Sequence, residues 1–307
     1  MRFQKTLKDI VELQGVGLHN GKKVNLFLKP AEVNSGIKFI RSDVDSSKNI
    51  IEASYENVSS PILCTKLKNS QGVTVSTIEH LMAAFYGEDL DNVTVEIDAP
   101  EVPIMDGSSF DFVEGIRSVG VVDQKVPKKF IKVLKKVEVK EGEKYISIEP
   151  LAEDLIIDFE IIYNNPLIRT RRKQFSFNNG DLTSIYNSKT FCLYEDIDHI
   201  KSQGLAQGGS LENAIVVKEN RILNDDGLRY RDEFVNHKIL DCMGDLMLTG
   251  HRIFGYIKTS QGGHKLTNVL LREFFSDKSN WSYESGEEKV KDPNKDNIYI
   301  KPVAAGI

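Results

Sequence analysis

Between Phe234 and Leu248 the polar and apolar positions separate with helical spacing. Wound at ~100° per residue, this stretch gathers its polar side chains onto one narrow arc. His237, Lys238, Asp241 and Asp245 fall within ~100° of one another, while Ile239, Leu240, Cys242, Met243, Leu246 and Met247 cover the rest of the surface. A His and an Asp one turn apart can reach the same metal ion, and Asp245, another turn on, can orient a neighbouring group. A solvated helix face is the simpler account of the spacing alone. Solvated faces, however, carry long Lys, Glu and Gln chains rather than short His and Asp.

Period-two alternation predicts strands elsewhere. Val11 and Leu13 against Val24, Leu26 and Leu28, around Asn20-Gly21, predict a hairpin within residues 3–30. Short strands follow, then a helix over Thr77–Tyr86, the strand Asn92–Ile97 and a helix over Ser108–Val119. Val122–Lys129, a proline among charged side chains, predicts a linker. The second half opens on another hairpin, Phe130–Val139 and Lys144–Glu149 around Glu141-Gly142. Strands near Leu155–Tyr163 and Gln174–Phe177, the polar-arc helix, the strand Arg252–Thr259 and a helix over Leu266–Phe275 complete it. Both halves run hairpin, strands, helix, strand, helix. The expected fold class is therefore α+β, in two similar layered domains, 1–126 and 127–280, with a charged tail at 281–307. From Ser276 the composition turns sparse in apolar residues, which predicts loose packing, with Tyr299–Val303 as a docking segment.

Composition narrows the class. The chain has 307 residues, enough for two cores, and a formal net charge of -5, which offers no general attraction to nucleic acid or acidic membrane. The basic run Arg169–Lys173 is expected to be a solvated loop edge. Cys64, Cys192 and Cys242 are far apart and form no Cys-x-x-Cys pair, as in a reducing compartment. No signal region opens the chain, and no run approaches the ~18 apolar residues of a spanning helix. A cytoplasmic monomer without a transmembrane segment is expected.

Two further segments carry candidate chemistry. Ser76-Thr-Ile-Glu79-His80 fits a capping box, in which Glu79 folds back over a helix start and His80 is ordinary. It also fits a third metal ligand, His80, beside a general base, Glu79. Three protein ligands leave one tetrahedral position open, the arrangement of a catalytic zinc site. Gln261-Gly-Gly-His264 lies between a predicted strand and helix. Its histidine suits either a polar turn cap or a general acid that protonates a leaving group.

Eight segments together resemble a known family. They are Gly15–Gly21, Ser76–His80, Ala99–Ser108, Thr190-Phe191, Gly208–Ser210, Leu223–Arg229, His237–Asp245 and Gly263-His264. In order and spacing they are similar to the UDP-3-O-acyl-N-acetylglucosamine deacetylases of lipid A biosynthesis, over about residues 5 to 275. The resemblance implies two domains, each with two helices on a β-sheet and the active site between them. It implies one Zn2+ per chain on His80, His237 and Asp241, with Glu79 as general base and His264 as general acid oriented by Asp245. Thr190 would bind the developing oxyanion, and Lys238 would lie near the sugar–phosphate portion of a UDP-linked acylated GlcNAc. An insert at about 191–217, read as a small βαβ-like unit, would form an acyl passage lined by Phe191, Ile197, Ala206, Gly209, Ser210, Leu211, Ala214 and Val216. Plain core is the competing account of those apolar side chains, and small residues at Ala206, Gly209, Ser210 and Ala214 argue for an open passage.

The chain departs from the pattern at two places. Gln261-Gly-Gly stands where a basic residue, Ser and Gly are usual, and Lys189-Thr-Phe-Cys192 stands for Arg-Thr-Phe-Gly. The first removes a candidate pyrophosphate partner; the second changes the passage wall. His19 is expected to be structural in its glycine-rich turn, and Cys64 and Cys192 to be small buried residues. Two other functions use parts of this chemistry: a zinc amidase acting on another acylated sugar or a peptide, and a non-enzymatic nucleotide-sugar binder. The insert discriminates the first, and a metal assay the second.

Overall fold

A computed structural model describes residues 2–59 and 63–286. The first half contains β1 (Phe3–Leu7), β2 (Val11–Val16), β3 (Lys23–Pro30), β4 (Ile37–Arg41), β5 (Ile50–Glu52), β6 (Lys66–Lys68), β7 (Thr74–Ser76), α1 (Glu79–Gly87), β8 (Val93–Ile97), α2 (Phe110–Val119) and β9 (Val121–Pro127). Five of these strands form a sheet in the order β2-β3-β8-β4-β5, with β4 parallel to β8 and the other neighbours antiparallel. The predicted hairpin is β2–β3, with Val11 opposite Leu28 and Leu13 opposite Leu26. Alternation decides which face is covered. Leu26, Leu28, Phe39, Val93 and Val95 are buried and share a core with Leu81, Met82 and Phe85 of α1 and Phe112 of α2.

The second half contains β10 (Lys129–Val133), β11 (Val137–Glu141), β12 (Lys144–Glu149), β13 (Leu155–Ile162), β14 (Thr170–Ser176), α3 (Thr183–Tyr186), β15 (Phe191–Leu193), α4 (Tyr194–Ser202), β16 (Ile215–Lys218), β17 (Arg221–Ile222), α5 (Glu233–Met247), β18 (Arg252–Ser260), α6 (His264–Ser276) and β19 (Trp281–Ser285). Its sheet is built around β18. The start of β18 runs parallel to β10, and the rest lies between antiparallel β12 and parallel β13. Helices α5 and α6 pack on this sheet, and β15–α4–β16 forms the expected βαβ unit, with β15 parallel to β16. The α+β class and the two-domain plan follow.

The halves meet through α1 and α5. Gly244 permits this: a Cβ built there would lie 2.0 Å from the Glu79 carbonyl oxygen. A second tie runs through buried Lys128, whose Nζ is 2.6 Å from Asp89 Oδ1 and 3.0 Å from Asp91 Oδ2. Arg252 Nε of β18 reaches the same Asp89 oxygen at 2.7 Å.

Three expectations need correction. The linker at Val122–Lys129 is largely strand β9, antiparallel to β1 with Thr6 opposite Val122. The loop edge at Arg169–Lys173 lies mostly in β14, where Arg172 pairs with Asp158 and Lys173 with Asn236. The loose tail is ordered at least to Gly286, because β19 pairs with β10 along Trp281–Ser285. The docking segment Tyr299–Val303 lies outside the described residues.

Candidate metal centre and acyl passage

The site grows from the contact between α1 and α5. Glu79 and His80 open α1; His237, Lys238, Asp241 and Asp245 line the α5 arc; His264 is the first residue of α6. The capping box at Ser76 does not form. Ser76 Oγ donates to the Pro100 carbonyl, α1 starts without a side-chain cap, and Thr77 takes a left-handed backbone with φ 56°. Glu79 is thereby freed for other work. Its Oε2 accepts the Thr65 N–H at 3.1 Å, and its Oε1 lies 3.5 Å from His264 Nε2.

His80, His237 and Asp241 each offer one ligand atom, all within 4.8 Å of one another, and all three residues are buried. Asp241 Oδ1 lies 3.4 Å from His237 Nε2 and 3.6 Å from His80 Nε2, yet it has no hydrogen-bond partner. A buried carboxylate oxygen left alone between two imidazoles is costly unless a cation takes the space. The other oxygen, Oδ2, is held by Lys238 Nζ at 2.9 Å. His237 Nδ1 donates to the Ser188 carbonyl at 3.0 Å, which leaves Nε2 with its lone pair facing the cluster. Two ring nitrogens and one carboxylate oxygen fit a zinc-type metal with an open fourth position.

Charge states follow from burial and neighbours. Burial pushes His237 down to about 3, keeping it neutral as a ligand must be. Burial alone would raise Asp241, but His237 and Lys238 hold it well below the carboxylate range. Glu79 is raised by burial. For His264 burial works downward, but the Asp245 and Glu79 carboxylates outweigh it and lift the imidazole to about 10. His264 Nδ1 is 2.8 Å from Asp245 Oδ2, so the ring is fixed with Nε2 directed at Glu79.

Beside this cluster lies a cavity of about 400 Å³. Thr190, Phe191, Ile197, Ala206, Gly209, Ser210, Leu211, Ala214 and Val216 all line it. Leu18, Leu63, Tyr194, Ile200 and Leu223 line it as well and were not foreseen. His19, expected to be structural, is on the wall too; its Nε2 is buried without a partner. Cys192 is half-buried on that wall, and Cys64 is buried, its thiol pushed up to about 12 by burial and then by Glu79. Phe191 links cavity and cluster, its ring 6.3 Å from that of His237. A second cavity of about 280 Å³, on the Lys238 side, is lined by Lys144, Tyr163, Lys238 and Gln261 among others.

Residues given no role from the sequence also shape the site, Glu101 within the Ala99–Ser108 segment among them. Glu101 is buried, and its carboxylate accepts the backbone N–H groups of His19 and Asn20 and the hydroxyl of Thr77. It thereby ties the glycine-rich turn to the entrance of α1. Thr65 contacts Glu79, Asp245 and His264 together. Gly244 stood out only as a lone glycine that weakens a helical pattern; its reason, the close approach of α1, appears in the packed structure.

Fold and site together define a two-domain α+β protein with a buried His–His–Asp cluster suited to a metal ion, set beside a Glu–His pair. The family model for UDP-3-O-acyl N-acetylglycosamine deacetylases matches residues 4–276. The chain is 44% identical over 293 residues to the UDP-3-O-acyl-N-acetylglucosamine deacetylase of Vibrio parahaemolyticus, covering 94% of this chain and 95% of that protein. It is 43% identical over 296 residues to that of Shewanella pealeana, covering 95% and 96%. It is 41% identical over 293 residues to that of Actinobacillus pleuropneumoniae serotype 3, covering 94% and 95%. The chain belongs to this family. Among the described residues no helix is long and apolar enough to cross a membrane.

Proposed function

We propose that this protein hydrolyses the N-acetyl amide of a UDP-3-O-acyl-N-acetylglucosamine, a step of lipid A biosynthesis in the cytoplasm, with one zinc ion on His80, His237 and Asp241. The supporting observation is an adjacency: a buried ligand triad, a Glu–His pair 3.5 Å apart, and an apolar passage. Zinc there would supply Lewis-acid polarisation of the acetamide carbonyl and lower the pKa of the attacking water.

The chain's own groups do the rest. Glu79 takes the proton of the water through Oε1, since Oε2 is engaged by the Thr65 N–H. Thr190 donates its hydroxyl to the oxygen that gains charge as the C–O bond forms. His264, held through Nδ1 by Asp245, gives a proton from Nε2 to the nitrogen as the C–N bond breaks. Acetate and a free amine leave. Lys144 and Lys238 supply cations in the second cavity for the sugar–phosphate portion. Gln261 sits there as a neutral neighbour. The first cavity takes the fatty chain, which favours this substrate over a peptide for an amidase of the same chemistry.

The test is direct. Protein purified with one equivalent of zinc should release acetate from UDP-3-O-acyl-GlcNAc. Zinc-loaded protein that releases none overturns the reading, as does equal turnover of an N-acetylated peptide.

A further inference from the structure

Thr65 lies in the segment before β6, in no motif, yet is 2% exposed and reaches three residues of the reacting centre. Its Oγ1 donates to Asp245 Oδ1 at 2.5 Å. The same oxygen is 3.0 Å from His264 Nδ1, which is itself 2.8 Å from Asp245 Oδ2. Its backbone N–H donates to Glu79 Oε2 at 3.1 Å. We infer that Thr65 is a positioning residue for both the base and the acid of the deacetylation: its hydroxyl locks the Asp245–His264 pair, and its N–H turns Glu79 so that Oε1 faces the reaction.

The geometry carries this in two steps. A carboxylate bound only by one imidazole can swing about its Cβ–Cγ bond, and the ring swings with it. Asp245 is instead held at both oxygens, by His264 on Oδ2 and Thr65 on Oδ1, so its plane is fixed. The hydroxyl proton is committed to Asp245, so the Thr65 oxygen faces the Nδ1–H of His264 with lone pairs only. That arrangement favours the tautomer or cation carrying a proton on Nδ1 and aims Nε2 at the leaving group. The backbone contact acts separately, on Glu79. Thr65 touches neither the proposed ligand set nor the passage, so its loss should leave metal and substrate binding in place.

The inference rests on the proposed deacetylation, and its test separates the two. Thr65→Val keeps the shape and the backbone N–H but removes the hydroxyl; Thr65→Ser restores it. In zinc-loaded protein, Thr65→Val should lower kcat by about 10- to 100-fold, the usual scale for partners that orient an active-site histidine, with KM and zinc content unchanged. Thr65→Ser should return kcat to within about threefold of wild type. On an Asp245→Ala background Thr65→Val should cost nothing further, because its target is gone. Wild-type turnover with an unchanged kcat in Thr65→Val overturns the role of the hydroxyl. So does an equal loss in Val and Ser, or a full additional loss on the Asp245→Ala background. Should Thr65→Val fold poorly, Thr65→Ala against Thr65→Ser gives the same comparison. Wild-type protein that releases no acetate instead strikes at the functional reading itself.

Discussion

Gly244→Ala sets two effects of opposite sign against each other. In an ordinary helix the change is favourable by up to about 1 kcal/mol, because alanine has the higher helix propensity. Here the new Cβ would stand 2.0 Å from the Glu79 carbonyl oxygen and 2.9 Å from its carbonyl carbon. Cβ contacts under 3.0 Å are essentially never found, so α1 and α5 must part by about 1 Å. Backbone opposes the methyl, and no rotamer change relieves it. Overpacking of this kind costs about 1–3 kcal/mol, which exceeds the propensity gain and predicts net destabilisation. The consequence for chemistry is larger. Glu79 and His80 ride on α1, and His237, Asp241 and Asp245 on α5, so a 1 Å separation shifts the two groups relative to each other. Misplacement on that scale costs about 10²-fold in rate. Thermal unfolding, zinc titration and acetate release should show a lowered Tm, weakened zinc binding and a turnover loss of that order. A Gly244→Ala protein more stable than wild type, with unchanged turnover, would refute the idea that the close helix contact sets the site.

Asp241→Ala should abolish tight zinc binding, because a site of three protein ligands does not survive on two; full occupancy by elemental analysis would contradict the assignment. Glu79→Ala and His264→Ala should each lower turnover by about 10²–10⁴ while zinc stays bound, since neither belongs to the ligand triad. The pH profile follows from the same pair. Glu79 works only when deprotonated, and burial raises it, so the acidic limb should lie above the ordinary 4.5. His264 works only when protonated and is lifted to about 10, so activity should hold through neutral pH and fall on the alkaline side. A profile that already declines at pH 6.5, the ordinary histidine value, would reject those roles. Ser210→Trp should cut kcat/KM for a long-acyl substrate far more than for a des-acyl analogue, each buried methylene being worth up to about 0.8 kcal/mol; equal losses would make the insert structural.

What could be read in advance was local or repeated within a few residues. The α5 arc is legible because 3.6-residue periodicity places His237, Asp241 and Asp245 on one face whatever that face meets. The residues assigned to the insert by the resemblance do line one cavity, although their small and apolar character alone did not separate a cavity wall from plain core. The misreadings share a different cause. Strand β9 is half-exposed or exposed along its whole length, and β14 is an edge strand with one buried position, Phe175, near its end. Such edges carry charge to discourage pairing with other chains, so hydrophobic periodicity is weakest where they lie. The capping-box reading of Ser76 and Glu79 failed for a related reason. A local motif was outcompeted by partners distant in sequence, Pro100 for Ser76 and His264 for Glu79. Thr65 is the extreme case: its side chain is bound 180 and 199 positions away, and only its N–H contact, 14 positions on, is even moderately local. A hydroxyl whose partners are fixed by the docking of two domains leaves no periodic trace in its own neighbourhood. Acid–base residues at such an interface can therefore be found by motif, whereas the groups that aim them become visible only once α1, α5 and α6 are packed together.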